Sequence, residues 1–279
     1  MELLTDLHLH SSASDGILSP KEVVRWAALN NLKIISLTDH DTVDGLNDAR
    51  EECQRLGVAF VSGIELSAYS TDEIHILGYG IDYENDEFIE RLSAVKAQRA
   101  QRNAELKDKL AQLGVHVDVD PMEKGAGRMN FARDMVKKGI SRTPAHAFEQ
   151  YLGKGGLAYT PSKRLKPFEA VELIRDFNGL PVLAHPKRFI QDKNLLDIIE
   201  GLIPHGLLGV EVYYPSHSAA DIAELKRLAK SKNLIATGGS DYHGEELSAG
   251  FESKTRSCGT TTVKYIPDKN TLSALRLNI

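Results

Sequence analysis

Short apolar segments rich in β-branched residues alternate along this chain with longer segments whose apolar residues recur at helical spacing. The alternation predicts parallel strands joined by crossover helices, and therefore an α/β fold. The predicted strands are 3–9, 33–38, 58–64, 74–79, 180–184, 208–213, 234–237 and 260–265. The predicted helices are 20–31, 42–56, 168–178, 194–203 and 218–232. Ser19 and Pro20 are suitable N-cap and first residues for the first helix.

The alternation stops between about residues 84 and 167, where the sequence becomes polar and helical. A long helical segment there ends at Gly114, and the glycine- and proline-containing stretch 153–167 indicates a loop that returns the chain to the α/β part, which at this chain length can be an α/β barrel. We therefore predict three segments. They are a first barrel part at 1–98, a helical insertion at 99–167 that caps the substrate site, and a second barrel part at 168–279.

Charge and cysteine content narrow the classes of function. The formal net charge of −5 argues against a basic surface that coats nucleic acid. The two cysteines, Cys53 and Cys258, are too few for a disulfide framework and fit a reducing cytoplasm. The N-terminal segment resembles a strand rather than a signal peptide, and no run of 18 apolar residues occurs. We therefore expect a cytoplasmic protein with no membrane partner.

Nearly every predicted strand of the barrel ends in a histidine or an acidic residue. His8 and His10 are two residues apart on a strand, so their side chains project from the same face. In an α/β barrel the carboxyl ends of the strands converge on one face, so residues far apart in the sequence can meet in one site. The predicted metal ligands are His8, His10, Asp15, His40, Glu65, His75, His185, Asp241 and His243.

Each of these residues, taken alone, also has an ordinary structural explanation. His40 could cap the helix that follows TDHDT, and Glu65 could pair with a nearby arginine. Their conjunction favours a metal site, because six of the ten histidines lie at predicted strand ends or in the loops just beyond them. The other contexts differ: His116, His146 and His205 fall in helices or loops, where solvated or structural roles are expected.

The chemistry of the donor set restricts the metal. Imidazoles and carboxylates without thiolates suit manganese, iron or zinc, and six histidines argue against a dedicated calcium or magnesium cage. One ion takes roughly four to six ligands, so nine candidates indicate two or three divalent ions. Such ions can stabilise both the attacking and the leaving oxygen of a displacement at phosphorus. Manganese is the expected ion, with iron or zinc as alternatives.

The motifs HLHSSASDG, TDHDT, GIELS, EIHILGYG, AHP and SDYH, in this order, resemble those of the polymerase and histidinol phosphatase (PHP) family of metal-dependent phosphoesterases. The resemblance spans nearly the whole chain outside the insertion. It is strongest to the branch of nucleoside 3′,5′-bisphosphate phosphatases and the 5′→3′ exoribonuclease called ribonuclease AM, because a helical insertion follows the fourth strand motif. It implies a distorted seven-stranded (β/α) barrel, the PHP fold, with a small helical insertion domain and a trinuclear metal centre.

The resemblance also implies how the ligands are divided among the ions. The first ion takes His8, His10, Glu65 and Asp241. The second takes Glu65, His75 and His185, and the third takes Asp15, His40 and His243. The expected nucleophile is a metal-bridging hydroxide held by Glu65 and Asp241, and no residue is assigned as the leaving-group acid.

Arginines of the insertion are candidates for binding a substrate phosphate. Arg99 and Arg102 are three residues apart and share a helix face, and Asn130 and Arg133 follow in a second helical segment. The planar guanidinium suits a second phosphate, although an ordinary solvated helix is the alternative. The resembling branch carries an R-A-x-R-type segment and an arginine-containing helix at these places. The family often has histidine where this chain has Asn130.

The segment VEVYYPSHS places His217 beyond the end of a predicted strand, where it would contact the substrate phosphate or the leaving group. The alternative is a turn around Pro215 with stacked tyrosines. Asp39 and Asp41 flank His40 and are expected to orient imidazoles by accepting hydrogen bonds. Helix capping would explain Asp41 equally well.

These features predict a metal-dependent phosphoesterase acting on nucleotide phosphate esters. It would remove the 3′-phosphate of a nucleoside 3′,5′-bisphosphate, release 5′-mononucleotides stepwise from short RNA, or do both. Alternatives are a histidinol-phosphate-type phosphatase, an amidohydrolase that cleaves C–N bonds, and a non-catalytic, metal-stabilised PHP module. The complete ligand set and the absence of a polymerase portion weigh against the last of these. The expected partner is a nucleotide or a short oligoribonucleotide, and no stable protein partner is inferred.

Overall fold

A seven-stranded sheet with its strands in chain order forms the centre of the computed structural model, which describes residues 3–70, 73–123, 126–161, 165–190, 192–244 and 265–277. The strands are β1 (Thr5–Leu9), β2 (Ile34–Leu37), β3 (Ala59–Tyr69), β4 (Glu73–Tyr79), β5 (Leu180–Leu183), β6 (Gly209–Tyr213) and β7 (Ile235–Gly238). Seven of the predicted strands are thereby confirmed, although β3 runs well past residue 64 to pair with β4.

The sheet nearly closes on itself because the segment after β7 bonds to β1. The Asp241 amide donates to the His8 carbonyl at 2.9 Å, and the His10 amide donates to the Tyr242 carbonyl at 2.9 Å. The expected distorted barrel of the α/β class is confirmed. The last predicted strand, 260–265, lies outside the described residues except for Tyr265, whose carbonyl accepts a hydrogen bond from the Thr5 amide at 3.0 Å.

Strand β4 runs antiparallel to both of its neighbours, β3 and β5, whereas all other neighbouring pairs are parallel. The expectation of parallel strands with crossover helices was therefore wrong at this strand. Only residues 70–72 separate β3 from β4, a connection too short for a parallel crossover. As a result, the start of β4 lies at the same end of the barrel as the carboxyl ends of the parallel strands.

Helices surround the barrel and also form the insertion. In chain order they are α1 (Pro20–Leu29), α2 (Leu46–Leu56), α3 (Asp86–Gln112), α4 (Arg128–Lys137), α5 (Pro144–Ala147), α6 (Pro167–Asp176), α7 (Pro186–Phe189), α8 (Asp192–Leu202), α9 (Ala219–Ser231) and α10 (Lys269–Ala274). Ser19 caps α1 as predicted, in a capping box with Glu22. Helix α2 begins at Leu46 rather than at residue 42, because residues 41–45 form turns in which the Thr42 hydroxyl accepts from the Asp44 amide. None of the described helices is both long and apolar enough to cross a membrane.

The insertion has a hydrophobic core of its own. Its buried side chains include Leu106 and Leu110 of α3 and Phe131 and Met135 of α4. The first half of α3 instead packs on the barrel, where Phe88 is fully buried in the main core. Helix α3 therefore belongs to both units, and the predicted segment boundaries at residues 98 and 167 stay a prediction.

Candidate metal centre

The nine predicted ligands lie together at one end of the barrel. The carboxyl ends of the parallel strands and the start of β4 supply them, directly or through the loops that follow. His8, His10 and Glu65 are fully buried, and the side chains of His40 and His243 are only 12% and 11% exposed. We call these nine residues the nine-residue cluster; its members are His8, His10, Asp15, His40, Glu65, His75, His185, Asp241 and His243.

Glu65 is at the centre of this cluster. Its Oε2 atom lies 3.3 Å from His8 Nε2, 3.2 Å from His10 Nε2 and 3.1 Å from His40 Nδ1. Its Oε1 atom lies 2.9 Å from His75 Nδ1 and 3.0 Å from His185 Nε2. One carboxylate on β3 thus reaches five imidazoles, which is the arrangement expected of a bridging ligand.

Asp241 and Asp15 complete the acidic donors. Asp241 Oδ1 lies 3.4 Å from His8 Nε2 and 3.1 Å from His10 Nε2. Asp15 Oδ1 lies 3.2 Å from His243 Nε2, and Asp15 Oδ2 lies 4.0 Å from His40 Nε2. The two aspartates therefore stand on either side of His10.

Several buried ligand atoms form no hydrogen bond of acceptable geometry within the part of the chain that the structure describes. They are His8 Nε2, both ring nitrogens of His10, His40 Nδ1 and Glu65 Oε2. Leaving a buried donor or acceptor unsatisfied costs about 1–3 kcal/mol for each group. Because these atoms converge on shared points, bound divalent cations would satisfy them together, and the donor set fits such ions.

Three overlapping groups of potential ligands have donor atoms within 4.8 Å of one another. One group is His8, His10, Glu65 and Asp241, the set predicted for the first ion. A second joins His10 to the predicted third set, and a third unites His40 with Glu65 and His75. His185 approaches Glu65 Oε1, as noted above. The division of ligands among individual ions stays a prediction.

The cluster keeps its carboxylates ionised. Burial alone would raise the pKa of Glu65, but the surrounding imidazoles, His40 foremost, hold it well below its usual range. The pKa values of Asp15 and Asp241 are lowered in the same way, against the effect of burial, chiefly by His243 and His8 respectively. Burial lowers the pKa of His40 to about 3, whereas Asp241 and Glu65 raise the pKa of His10 to about 10 against the effect of burial. Neutral imidazoles and ionised carboxylates are the forms that bind metal, so a bound ion would take the place of the proton on His10.

The loop that carries Asp15 is fastened by Asp39. The Asp39 carboxylate accepts hydrogen bonds from the Ser11 amide at 2.7 Å, the Ser11 hydroxyl at 2.6 Å and the Ser14 hydroxyl at 2.6 Å. We expected Asp39 to orient an imidazole; it instead positions the backbone next to Asp15. Asp41 accepts from the Ser67 amide at 2.8 Å, which ties the loop after β2 to β3.

A close approach between β1 and the residue after β7 explains the second glycine of GGSDYH, Gly239. A Cβ atom on Gly239 would lie 2.2 Å from His8 Cβ and 2.6 Å from the His8 amide nitrogen. No side chain fits in that space. The glycine therefore permits β1 to place His8 beside Asp241.

Three site residues were not identified from the sequence. Glu211 on β6 is fully buried and contacts both His8 and His185. Arg188 Nη1 donates to Asp241 Oδ2 at 2.5 Å and to the Tyr214 hydroxyl at 2.6 Å, and Tyr214 donates to the same Asp241 oxygen at 2.9 Å. An acidic residue inside the apolar strand GVEVY was the available signal for Glu211.

Two arginines of the insertion reach the rim of the centre. Arg99 Nη1 lies 2.7 Å from Asp41 Oδ2, and Arg99 Nε donates to the Ala126 carbonyl at 3.1 Å. Arg133 Nη1 donates to the Asp15 carbonyl at 2.7 Å.

The other predicted substrate residues have different surroundings. Arg102 is buried, with 4% of its surface exposed. Asn130 Oδ1 accepts from the Gly127 amide at 2.9 Å and so caps α4. His217 is buried, with its Nδ1 2.9 Å from the Val212 carbonyl oxygen and its ring 5.3 Å from that of Tyr214. The substrate roles of these residues and of Arg99 and Arg133 stay predictions.

A pocket of about 320 Å³ adjoins the nine-residue cluster at His40. It lies between α3, the segment before α4 and the loop after β2. Its lining combines charged and apolar side chains, namely His40, Asp41, Thr42, Asp44, Lys96, Ala97, Arg99, Ala100, Asn103, Pro121, Met122, Glu123 and Ala126. The pocket is large enough to hold part of a small-molecule substrate beside the candidate metal centre.

Several known proteins resemble this chain over most of its length. The chain is 32% identical over 254 residues to a phosphoribosyl 1,2-cyclic phosphate 1,2-diphosphodiesterase of Eggerthella lenta, covering 87% of this chain and 95% of the relative. It is 33% identical to a 5′→3′ exoribonuclease of Escherichia coli, over 86% of this chain and 85% of the relative. A 3′,5′-nucleoside bisphosphate phosphatase of Chromobacterium violaceum is 31% identical, over 85% of this chain and 86% of the relative.

A solved structure agrees with the fold, and a family model identifies the family. A Chromobacterium violaceum protein described as an amidohydrolase, solved with bound sulfate and no metal, superposes with a TM-score of 0.84. It is 29% identical and the match covers 98% of this chain and 96% of that protein. The PHP domain family matches residues 6–153, a range that contains six of the nine cluster residues. The chain therefore belongs to the PHP domain family.

Proposed function

We propose that this chain is a metal-dependent phosphoesterase that hydrolyses an ester of a ribose phosphate. The substrate would be a nucleoside 3′,5′-bisphosphate, which loses its 3′-phosphate, or a 5′-phosphorylated short RNA, which is cleaved at its first internucleotide bond. Both substrates place a 5′-phosphate close to the bond that is cleaved. The observation that carries the proposal is the position of Arg99 at the rim of the nine-residue cluster, where its side chain lies beside Asp41 and lines the pocket next to His40.

The nine-residue cluster would hold the metal ions. Bound divalent ions supply positive charge that polarises the phosphate ester and stabilises the negative charge of an in-line displacement. Glu65, Asp15 and Asp241 contribute the anionic donors, and the six imidazoles contribute neutral ones. Because most of these side chains are buried, the site excludes bulk water and strengthens each electrostatic contact with the substrate. Manganese, with iron or zinc as alternatives, is proposed as the ion.

Arg99 is proposed to bind the 5′-phosphate. Its Nε–H donates to the Ala126 carbonyl, which fixes the plane of the guanidinium, and its Nη1 faces Asp41. A phosphate that enters the pocket can accept from the same guanidinium with the bidentate geometry that arginine favours. Binding in the pocket that His40 also lines would orient the scissile ester toward the cluster and lower the entropic cost of the reaction.

The rest of the pocket suits the sugar and base of a nucleotide. Ala97, Ala100, Pro121 and Met122 give it an apolar side, and Met122 is 73% exposed. A flexible thioether can pack against different bases without selecting one by hydrogen bonding. The pocket is therefore compatible with a substrate whose base varies.

His217 is the predicted contact for the substrate phosphate or leaving group. The Tyr214 ring packs near both the His217 and the His185 rings, with centroids 5.3 Å away in each case. His217 and His185 are therefore separated by one side chain, that of Tyr214. We assign no leaving-group acid on this basis.

A second candidate substrate is a phosphoribosyl 1,2-cyclic phosphate. The Eggerthella lenta relative that acts on it is matched over 95% of its own length. Its identity to this chain, 32%, is within one percentage point of that of the exoribonucleases. This substrate is also a ribosyl phosphate, so the proposed arginine site would serve it equally well.

The test is a parallel assay of adenosine 3′,5′-bisphosphate, a 5′-phosphorylated short RNA, phosphoribosyl 1,2-cyclic phosphate and histidinol phosphate, each with Mn²⁺ and with chelator. Metal-dependent turnover of either nucleotide substrate above the others supports the proposal. Preference for the cyclic phosphate selects the second candidate. Preference for histidinol phosphate, or turnover of none of the four, contradicts the proposed function.

A further inference from the structure

Glu211 is a fully buried acidic residue on β6 that the proposed reaction does not use. Its two carboxylate oxygens contact two different members of the nine-residue cluster. Oε1 lies 3.0 Å from His8 Nδ1, and Oε2 accepts a hydrogen bond from the His185 backbone amide at 2.7 Å. One carboxylate therefore connects β1 to the segment that follows β5.

The contact with His8 determines which ring nitrogen faces the cluster. An ionised carboxylate only accepts hydrogen bonds, so His8 Nδ1 must donate to Glu211. In the neutral imidazole the lone pair then lies on Nε2, which is 3.3 Å from Glu65 Oε2 and 3.4 Å from Asp241 Oδ1. Nε2 forms no hydrogen bond with the described residues and is the atom available for a cation.

The contact with His185 acts on the backbone. His185 has φ 24° and ψ 56°, a conformation that residues other than glycine rarely adopt. The hydrogen bond from its amide to Glu211 Oε2 holds this conformation, in which the ring Nε2 lies 3.0 Å from Glu65 Oε1. Without that acceptor the backbone is expected to relax and the ring to move away from Glu65.

We propose that Glu211 is a positioning residue that holds His8 and His185 ready to bind metal at the same time. The inference rests on the proposed function, because it takes the cluster to be a metal centre. His8 and His185 are the predicted ligands of two different ions, so Glu211 would link the geometry of two metal positions through a single side chain. Carboxylates that orient metal-binding histidines in this way typically change metal affinity about 10- to 100-fold when they are lost.

Glu211→Gln gives a sharp test because glutamine has the same shape but only one accepting oxygen. If the amide oxygen faces the His185 amide, the amide NH₂ faces His8 Nδ1. His8 can then accept that hydrogen bond only in the tautomer that carries its proton on Nε2, the atom that should bind metal. If the glutamine is reversed, the His185 amide faces an NH₂ group and loses its acceptor.

Asp6 provides a matched control. It is also fully buried in the barrel, and its Oδ1 accepts from the backbone amides of His8 at 3.1 Å and Ser240 at 3.0 Å. Asp6→Asn removes the same charge, yet its amide oxygen can accept both backbone hydrogen bonds and no imidazole changes its partner. The experiment is calorimetric titration of Mn²⁺ into metal-stripped wild type, Glu211→Gln, Glu211→Asp and Asp6→Asn, with a thermal melt of each metal-stripped protein.

Glu211→Gln is expected to lower Mn²⁺ affinity about 10- to 100-fold while the metal-stripped protein melts near wild type, and Asp6→Asn is expected to bind like wild type. Glu211→Asp keeps the charge but is one methylene too short to reach both partners, so an intermediate loss is expected. Affinity of Glu211→Gln equal to wild type, or equal losses in Glu211→Gln and Asp6→Asn, would overturn the inference.

If Glu211→Gln does not fold, Glu211→Asp decides: reduced affinity supports the inference and unchanged affinity contradicts it. Metal titration requires no substrate, so failure of the phosphoesterase assay leaves this result standing. Conversely, an active wild type whose Glu211 variants bind Mn²⁺ normally would overturn only the role of Glu211.

Discussion

Arg133 donates a hydrogen bond from Nη1 to the backbone carbonyl of Asp15 at 2.7 Å. A helix of the insertion is thus bonded directly to the loop that carries a predicted metal ligand. Arg99 makes a comparable connection from α3 to Asp41, beside His40. The insertion is therefore attached to the barrel at the candidate site itself, and changes at these arginines should affect the reaction more than the fold.

Arg133→Met should lower kcat/KM about 10- to 100-fold, because a hydrogen bond from a charged donor contributes about 1.5–3 kcal/mol. Steady-state kinetics on the best substrate of the parallel assay checks this. Arg128→Met is the matched control, because Arg128 lies on the same helix with its guanidinium over the Phe148 ring inside the insertion. Equal losses in the two variants would contradict a specific role for the bond to Asp15.

Arg99→Met should raise KM for a 3′,5′-bisphosphate about 10- to 100-fold and change KM for an aryl phosphate much less. The reason is that only the bisphosphate has a second phosphate for the guanidinium to bind. The control is Arg91→Met, on the same helix but paired with Asp176 on the barrel side at 2.7 Å. Similar effects of Arg99→Met on both substrates would show that Arg99 does not bind the second phosphate.

Metal should stabilise the folded protein, because divalent ions satisfy buried ligand atoms that the unfolded chain does not bring together. At free Mn²⁺ about 100 times above its Kd, the gain is about 2.7 kcal/mol, or about 5–10 °C in Tm for a chain of this size. Differential scanning calorimetry of the metal-stripped protein, with and without added Mn²⁺, measures the shift. If Mn²⁺, Fe²⁺ and Zn²⁺ all leave Tm unchanged, the nine-residue cluster is not a metal centre.

Gly239→Ala should weaken Mn²⁺ binding by about tenfold or more and destabilise the protein. The added Cβ would lie 2.2 Å from His8 Cβ, so β1 and the end of β7 must move apart. Gly201→Ala is a suitable control, since a Cβ there meets nothing within 4 Å and alanine favours the helix by about 1 kcal/mol. Chelator competition and chemical denaturation report the two effects, and a Gly239→Ala variant with normal affinity would refute the packing argument.

The buried thiol of Cys53 should make the free energy of unfolding fall as the pH rises above 9. Burial raises the pKa of its thiol from 9.0 to about 12 in the folded protein, so between these values the unfolded chain loses a proton that the folded chain keeps. The contribution of the thiol is therefore fully present below pH 9 and declines as the pH rises toward 12. The difference in unfolding free energy between wild type and Cys53→Ala should shrink over this range. A constant difference would contradict the prediction.

The parts of the fold that depend on local pattern were predictable. Strands such as β2 and helices such as α1 follow from β-branched runs and from a capping box at Ser19. The direction of β4 was not, because alternation of apolar residues is the same in both directions along a strand. The nine residues between the predicted strands 58–64 and 74–79, in which no helix was predicted, were a local signal for a hairpin.

The residues of the nine-residue cluster were predictable from the sequence, but the residues that hold them in position were less so. His8 and His10 could be paired from their spacing, and the barrel topology explains why distant residues join them. Glu211 and Arg188 were missed because their roles depend on partners 203 and 53 residues away, which no local pattern specifies. Asp39 was assigned to the wrong partners for the same reason: it bonds the serines near Asp15 instead of an imidazole.

The antiparallel direction of β4 also sets how far α3 must run before it reaches the candidate site. Since β4 starts beside the candidate site, the chain leaves it at the opposite end of the barrel, where Arg91 pairs with Asp176. From its first residue, Asp86, to Arg99, helix α3 rises about 20 Å and returns the chain to the site, where Arg99 meets Asp41. The position of Arg99 at the site therefore depends on the number of helical residues that precede it. One residue inserted between Arg91 and Arg99 would advance the arginine by about 1.5 Å and turn it about 100° away from the pocket.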